Sequence, residues 1–179
     1  MWALVESGSI SKIYLRPKAI TIGDIKYPSN IFTVWSETEL KSIGIYIVII
    51  DNTNYKDPVY YANTEQSFTF ADDKVTETYG TATARTLADL KTGKCKQIDD
   101  EAYGLLQPND WMVIKATETS GTVASDWTTY RTGVRTAAND MKTKINAAAD
   151  VDALAALYAY NDADPPVRPL GEFPIPPTS

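Results

Sequence analysis

Near Gly80 the spacing of apolar residues changes from two to about 3.6, and that switch sets the class of fold open to this chain. Before it, short apolar runs alternate with turn residues. After it, apolar residues recur three and four apart. Strands gathered at one end and helices at the other point to an α+β fold, not to alternating strand–helix units. The expected organisation is a β-rich domain over 1–82 with hairpins and one short helix, an antiparallel helical module over 83–160, and an extended Pro-rich tail over 161–179.

Within the first part, Trp2 to Val5 and Ser9 to Leu15 flank Ser7-Gly8 as two short strands. Ala19 to Ile22 and Ile25 to Tyr27 flank Gly23-Asp24, where glycine supplies the positive φ of a tight hairpin. Pro28 cannot donate to a ladder and ends that strand. Ser36-Glu37-Thr38-Glu39 has the form of a capping box, and Gly44 is a left-handed helix stop. Ile45 to Ile50 carries Ile or Val on both faces, which predicts a central strand or one covered by a partner. Asp51 to Asn54 turns the chain, Val59 to Ala62 is a further strand, and Gln66 to Phe70 pairs with Val75 to Tyr79 across Asp72-Asp73.

Beyond Gly80, Leu87, Leu90, Ile98, Ala102 and Leu105 share one face of a helix over 83–106 that Pro108 ends. Asn109 or Asp110 can cap a short helix bearing Trp111, Val113 and Ile114. Ser125 or Asp126 then caps the clearest helix, in which Trp127, Tyr130, Val134, Ala137, Met141, Ile145 and Ala148 form a narrow apolar seam. Val151, Leu154 and Leu157 continue as a short last helix. Six of the ten prolines follow Asn161; such a segment forms no core of its own and is expected to lie extended on a surface or free.

Composition narrows the function. At 179 residues the chain can bury about two-thirds of its unfolded surface without metal or disulfide. It contains no histidine, which removes the commonest general base and metal ligand, and no phosphate loop, dinucleotide fingerprint or Cys-x-x-Cys. The net charge of -6, with no basic stripe, speaks against nucleic acid. No apolar run is long enough to span a bilayer, and the opening Met1 to Glu6 lacks the pattern of a secretory signal. Lone Cys95, between Lys94 and Lys96, reads as an incidental thiol. The acidic groups at Asp72-Asp73, at Asp99 to Glu101 and at Asp162 with Asp164 read as solvated surface, not as an acid–base pair across a cleft. Asp51, Asn52, Asn54 and Asp57 lack the spacing of a calcium loop. Neither enzymatic activity nor a cofactor or metal is expected.

Aromatic residues are the better candidates for function. Eleven tyrosines and four tryptophans can form a protein-contact or sugar-stacking surface. Trp2, Trp111, Trp127 and Tyr130 fall at core spacing, whereas Tyr60 and Tyr61 near a strand end read as contact residues. Arg131 and Arg135 lie off the seam, on what is expected to be a solvated face from which they can also reach an acidic neighbour.

Leu105-Leu106-Gln107-Pro108-Asn109-Asp110-Trp111-Met112-Val113-Ile114-Lys115, then Asp126-Trp127-Thr128-Thr129-Tyr130-Arg131 and Val134-Arg135, resembles the C-terminal module of tailed-bacteriophage tail-fibre and tail-fibre-assembly proteins. Gly8-Ser9-Ile10, Tyr27-Pro28-Ser29-Asn30 and Glu39 to Ile45 are similar as well. The pattern is a Leu-Leu-x-x-x-Asp-Trp segment before a Trp-x-x-Tyr-Arg-x-x-x-Arg helix, with a closing Trp-Pro pair. Here Lys115 stands in a frequent Arg position and Phe173 in that of the closing Trp. The resemblance implies a virion structural protein attached to tail, fibre or neck, assembled in the host cytoplasm and docked to other phage structural proteins. It equally admits an assembly chaperone released before the particle is finished; a receptor- or glycan-binding module is the third reading. On it the candidate contact residues are Trp127, Tyr130, Arg131, Arg135, Phe173, Tyr60 and Tyr61. Homo-oligomerisation is expected too, because the strand Ile45 to Ile50 and the Ala-rich seam exceed what a small domain comfortably covers.

Overall fold

A computed structural model describes residues 1–178. The fold is α+β, and the chain divides into two compact units, one over Met1–Thr83 and one from Ala84 onward.

The first unit is built on a five-stranded sheet ordered β2-β1-β5-β8-β7. Its strands are β1 (Trp2–Glu6), β2 (Ser9–Tyr14), β5 (Ile45–Ile50), β7 (Gln66–Ala71) and β8 (Lys74–Tyr79). β3 (Ile20–Ile22) and β4 (Ile25–Tyr27) form a separate hairpin, and β6 (Tyr61–Ala62) pairs with β9 (Thr83–Ala84) where the unit ends. Ser7 and Gly8, like Asp72 and Asp73, take positive φ at both central loop positions. Such turns match the twist of the strands they join, so the chain reverses sharply into β1–β2 and β7–β8. β5 joins the two hairpins, antiparallel to β1 and parallel to β8. The edge strands β2 and β7 approach one another, curling the sheet into a half-barrel.

Alternation along the strands gives this sheet two apolar faces. On one, Leu4, Tyr14 and Ile45 pack with Ile20 and with Ile31, Phe32 and Leu40, which come from α1 (Ile31–Val34) and α2 (Glu37–Ser42). On the other, Ala3, Val48 and Val75 gather Val5, Ile13, Tyr46, Phe68 and Phe70. β5 is thus central, as its composition requires, although Ile47, Ile49 and Ile50 remain exposed beyond the cover of the helices.

Local chemistry fixes the entry to β5. Ser36 Oγ accepts from the Glu39 amide while Glu39 Oε2 accepts from the Ser36 amide at 2.7 Å, completing the capping box. After α2 the chain passes through Gly44 at φ +80, and its carbonyl accepts from the Val5 amide at 2.8 Å. A Cβ at this position would meet the Val5 carbonyl oxygen at 2.8 Å. Gly44→Ala is therefore expected to destabilise this unit by about 1–3 kcal/mol, read as a lower urea midpoint; an unchanged midpoint contradicts it.

The β7–β8 turn is tethered by Asp73, which accepts from Lys41 Nζ and from Tyr46 Oη, each at 3.0 Å. The hydrogen bond from Lys41, and then that from Tyr46, holds the Asp73 carboxyl below the ordinary aspartate range. A carboxyl depressed in the folded state supports the fold above its unfolded value, and that support fades as pH falls through the folded value. NMR titration of Asp73 is expected to show a midpoint below that of free aspartate, moving upward in Lys41→Met.

Two expectations fail in this unit. Of the strand expected over Val59 to Ala62, only Tyr61–Ala62 forms, because Asp57 takes the preceding residues into a turn. Its side chain accepts from the Val59 amide, and its carbonyl accepts from the amides of Tyr60 and Tyr61. That turn drives both rings inward. Tyr60 and Tyr61, read from sequence as contact residues, are only 6% and 8% exposed.

The second unit contains α3 (Leu87–Leu106), a 3₁₀ turn over Gln107–Asn109, α4 (Asp110–Glu118), α5 (Ser125–Ala147) and α6 (Val151–Ala156). Cross-links show that α3 and α5 run antiparallel. Lys91 Nζ donates to the Asn146 carbonyl near one end, Lys142 pairs with Asp99 in the middle, and Arg131 reaches the Leu106 carbonyl at the other. Tyr130, Val134, Ala138, Met141 and Ile145 of α5 are buried with Ile98 and Ala102 of α3 and Val151 and Leu154 of α6. Ala138 takes the place in the seam expected of Ala137. Neither Ser125 nor Asp126 caps α5: the cap position falls on Ala124, and Ser125 Oγ turns to Asp126 instead. Asp150 does cap α6, accepting from the Ala153 amide at 2.7 Å.

Residues 161–178 form no helix or strand, yet they contribute to the core. Leu170 is buried, its amide donates to the Leu157 carbonyl, and Lys144 Nζ donates to the carbonyls of Pro169 and Leu170. Pro174 packs against α5 at Gly133, where an added Cβ would come within 3.3 Å of the proline ring.

Candidate functional site

The segments Leu105–Lys115 and Asp126–Arg135 are separate in sequence, and the fold brings them together at one corner of the helical unit. α3 ends at Leu106, the 3₁₀ turn reverses the chain, and α4 starts at Asp110. Against this corner lies the first half of α5, with Arg131 facing it. Arg131 Nη1 donates to the Leu106 carbonyl at 3.1 Å and to Asn109 Oδ1, while Nη2 donates to Asp110 Oδ1 at 2.6 Å. Asn109 in turn donates from Nδ2 to the Leu105 carbonyl.

Each contact has an electrostatic reason. The carbonyls that end α3 carry the negative pole of that helix, so a cation there is stabilising. Asp110 lies in the first turn of α4, where a carboxylate is equally favoured. A planar guanidinium, with its donors in a fixed fork, can serve the helix end, the amide and the acid at once.

Arg131 is only 6% exposed, which overturns the expectation of a solvated face. At about 100° per residue, Arg131 falls on the edge of the stripe that holds Tyr130, Val134 and Ile145. Sorting α5 by residue type alone placed it outside. Arg135 is exposed and donates from Nη1 to the Arg131 carbonyl at 3.2 Å, closing one turn of the same helix. Tyr130 is buried, and Trp127 is half-buried, meeting Tyr130 edge to face at 5.8 Å between ring centres. Phe173 is half-buried beside Pro174. Tyr60 and Tyr61 belong to the other unit.

α4 departs furthest from expectation. Its spacing suggested a core helix, but none of its residues is buried, and Trp111 is 54% exposed with Val113 and Ile114 beside it. Arg131 anchors the first residue of α4, and nothing in this unit covers the outer face beyond. Between α4 and the start of α5 lies a groove of about 270 Å³, lined by Trp111, Met112, Lys115, Val123, Ala124 and Trp127. The Lys115 ammonium sits 5.8 Å from the centre of the Trp111 ring. The site is thus a rigidly tied polar corner carrying an apolar groove between two indoles.

Among the described residues, no group of three or more His, Cys, Asp or Glu is arranged to hold a metal ion, and no helix is long and apolar enough to cross a membrane. Comparison with protein-family models, with curated proteins and with solved structures found no match.

Proposed function

We propose that this chain is a bacteriophage structural protein, associated with tail or fibre, that works by docking to neighbouring proteins. One observation carries the reading: the residues that bear the phage resemblance converge on Arg131, and the corner they build presents Trp111 and Trp127 at the surface. Half-exposed aromatics on a braced scaffold suit protein contact, since large rigid side chains bury much area at little entropic cost. In this reading the exposed end of the Pro-rich segment, around Ile175, serves as the docking arm, and the protein resides in the virion as an oligomer.

Mass spectrometry of purified particles tests the proposal, which expects the chain at stoichiometric abundance. Its absence from intact particles, with co-purification of a fibre protein from infected lysate, supports instead an assembly chaperone.

A further inference from the structure

We propose that the groove between Trp111 and Trp127 receives the exposed Ile175-Pro176 step of a second copy of this chain. The inference rests on surfaces of the helical unit alone and does not depend on the phage reading.

Groove and segment are chemically matched. The groove walls combine the indoles of Trp111 and Trp127 and the Met112 thioether with Val123, Lys115 and the hydroxyl-bearing Thr119 and Thr122. Aromatic-walled grooves of this kind take proline-rich strands, whose rings stack on indole faces and whose backbone is ordered before binding. The same chain supplies such a strand. Ile175, between Pro174 and Pro176-Pro177, is 88% exposed, more than any other large hydrophobic residue among those described.

Ile175 and Pro176 are exposed between Pro174 and Pro177, which are half-buried on their own chain. Leu170 is buried, Lys144 grips the carbonyls of Pro169 and Leu170, and Pro174 rests on Gly133. The base of the strand is therefore fixed, and little conformational freedom remains to be lost when Ile175 docks. Its own groove lies elsewhere. Gly133 and Trp127 are six residues apart on α5, which separates them by about 9 Å along the axis and about 120° around it. The strand thus rests on a different face of its own helix, and the groove is left for another chain.

Donor and acceptor are distinct patches, so the contact is head-to-tail and either closes into a ring or continues as a filament. Each contact is small and weak alone, but strengthens when copies are held side by side.

Sedimentation velocity of the full chain over a concentration series tests this. The wild type is expected to pass from monomer to larger species. Trp111→Ser, which loses the groove, and Ile175→Asp, which loses the strand, are each expected to stay monomeric. Mixing the two is expected to restore a complex of two chains and no larger, because one variant still has the strand and the other the groove. Both substitutions are at exposed positions, and unchanged circular dichroism checks the fold. The proposal is overturned if the wild type stays monomeric throughout, if either variant associates like the wild type, or if the mixture forms no two-chain complex.

Discussion

Replacing Arg131 with leucine is expected to loosen the α3–α4 corner by about 1–3 kcal/mol, the cost of leaving buried polar acceptors without their donor, since half-exposed Asp110 can be solvated. Leucine keeps much of the apolar stem but leaves the Leu106 carbonyl and Asn109 Oδ1 without a donor, and Asp110 without a cation. A loss of about 2 kcal/mol corresponds to roughly thirtyfold in an opening equilibrium. Segment-resolved hydrogen exchange reads it: amides at the end of α3 and in the first half of α5 should exchange faster by that order. Lysine restores the charge but not the fork, so Arg131→Lys should recover only part of the protection. Full protection in the leucine variant would show that the polar corner is not what holds the helices there.

The second large effect is expected at Ile45. Its side chain is fully buried at the start of β5, among Leu4, Tyr14, Ile31, Phe32 and Leu40. Truncation to alanine removes that packing and leaves a cavity between sheet and helices, at an expected cost of about 2–5 kcal/mol. Amides of β1 and β5 should lose protection together, since Leu4 and Ile45 are partners across the ladder. Ile49→Ala, four positions further on the exposed stretch of the same strand, should cost far less.

These contrasts mark what the sequence reveals and what it hides. The hairpins were legible because their signals are local: Gly23, Ser7-Gly8 and Asp72-Asp73 each sit where the turn needs them, and all three turns form. Ser36 and Glu39 are likewise a self-contained pair. Partners distant in sequence were not legible. The parallel pairing of β5 with β8 joins segments separated by a long excursion, and no residue pattern announces it. The four-residue helix α1 is too short to express a period. Asp57 with Pro58 is a local turn signal, and its side chain accepts from the Val59 amide two residues on, but the burial of Tyr60 and Tyr61 depends on neighbours that this signal does not name.

The helical unit repeats this lesson in its candidate site. The seam of α5 was legible through Val134, Met141 and Ile145, which follow the helical period. Arg131 is a candidate from the sequence, and its acidic neighbour proves to be Asp110, but its charge pointed to a solvated face although its place on the helix puts it at the edge of the apolar stripe. Trp111 was misplaced for the opposite reason: an apolar residue at core spacing faces a core only where something covers it. Position on the helix was the better guide for the arginine. For the tryptophan, only the three-dimensional neighbours decide.

The place of β5 also dictates the order in which the chain can assemble as it is made. The β1–β2 and β7–β8 hairpins contain only local contacts and can form early. β5 already has β1 as a neighbour when it leaves the ribosome, but its other edge stays open until β8 has emerged, more than twenty residues later. Throughout that interval the most apolar strand of the protein shows an unpaired edge, with Ile47 and Ile49 exposed along it. Slowing translation across residues 51–73 would prolong the exposure, and that window is where this chain is most open to pairing with the wrong strand.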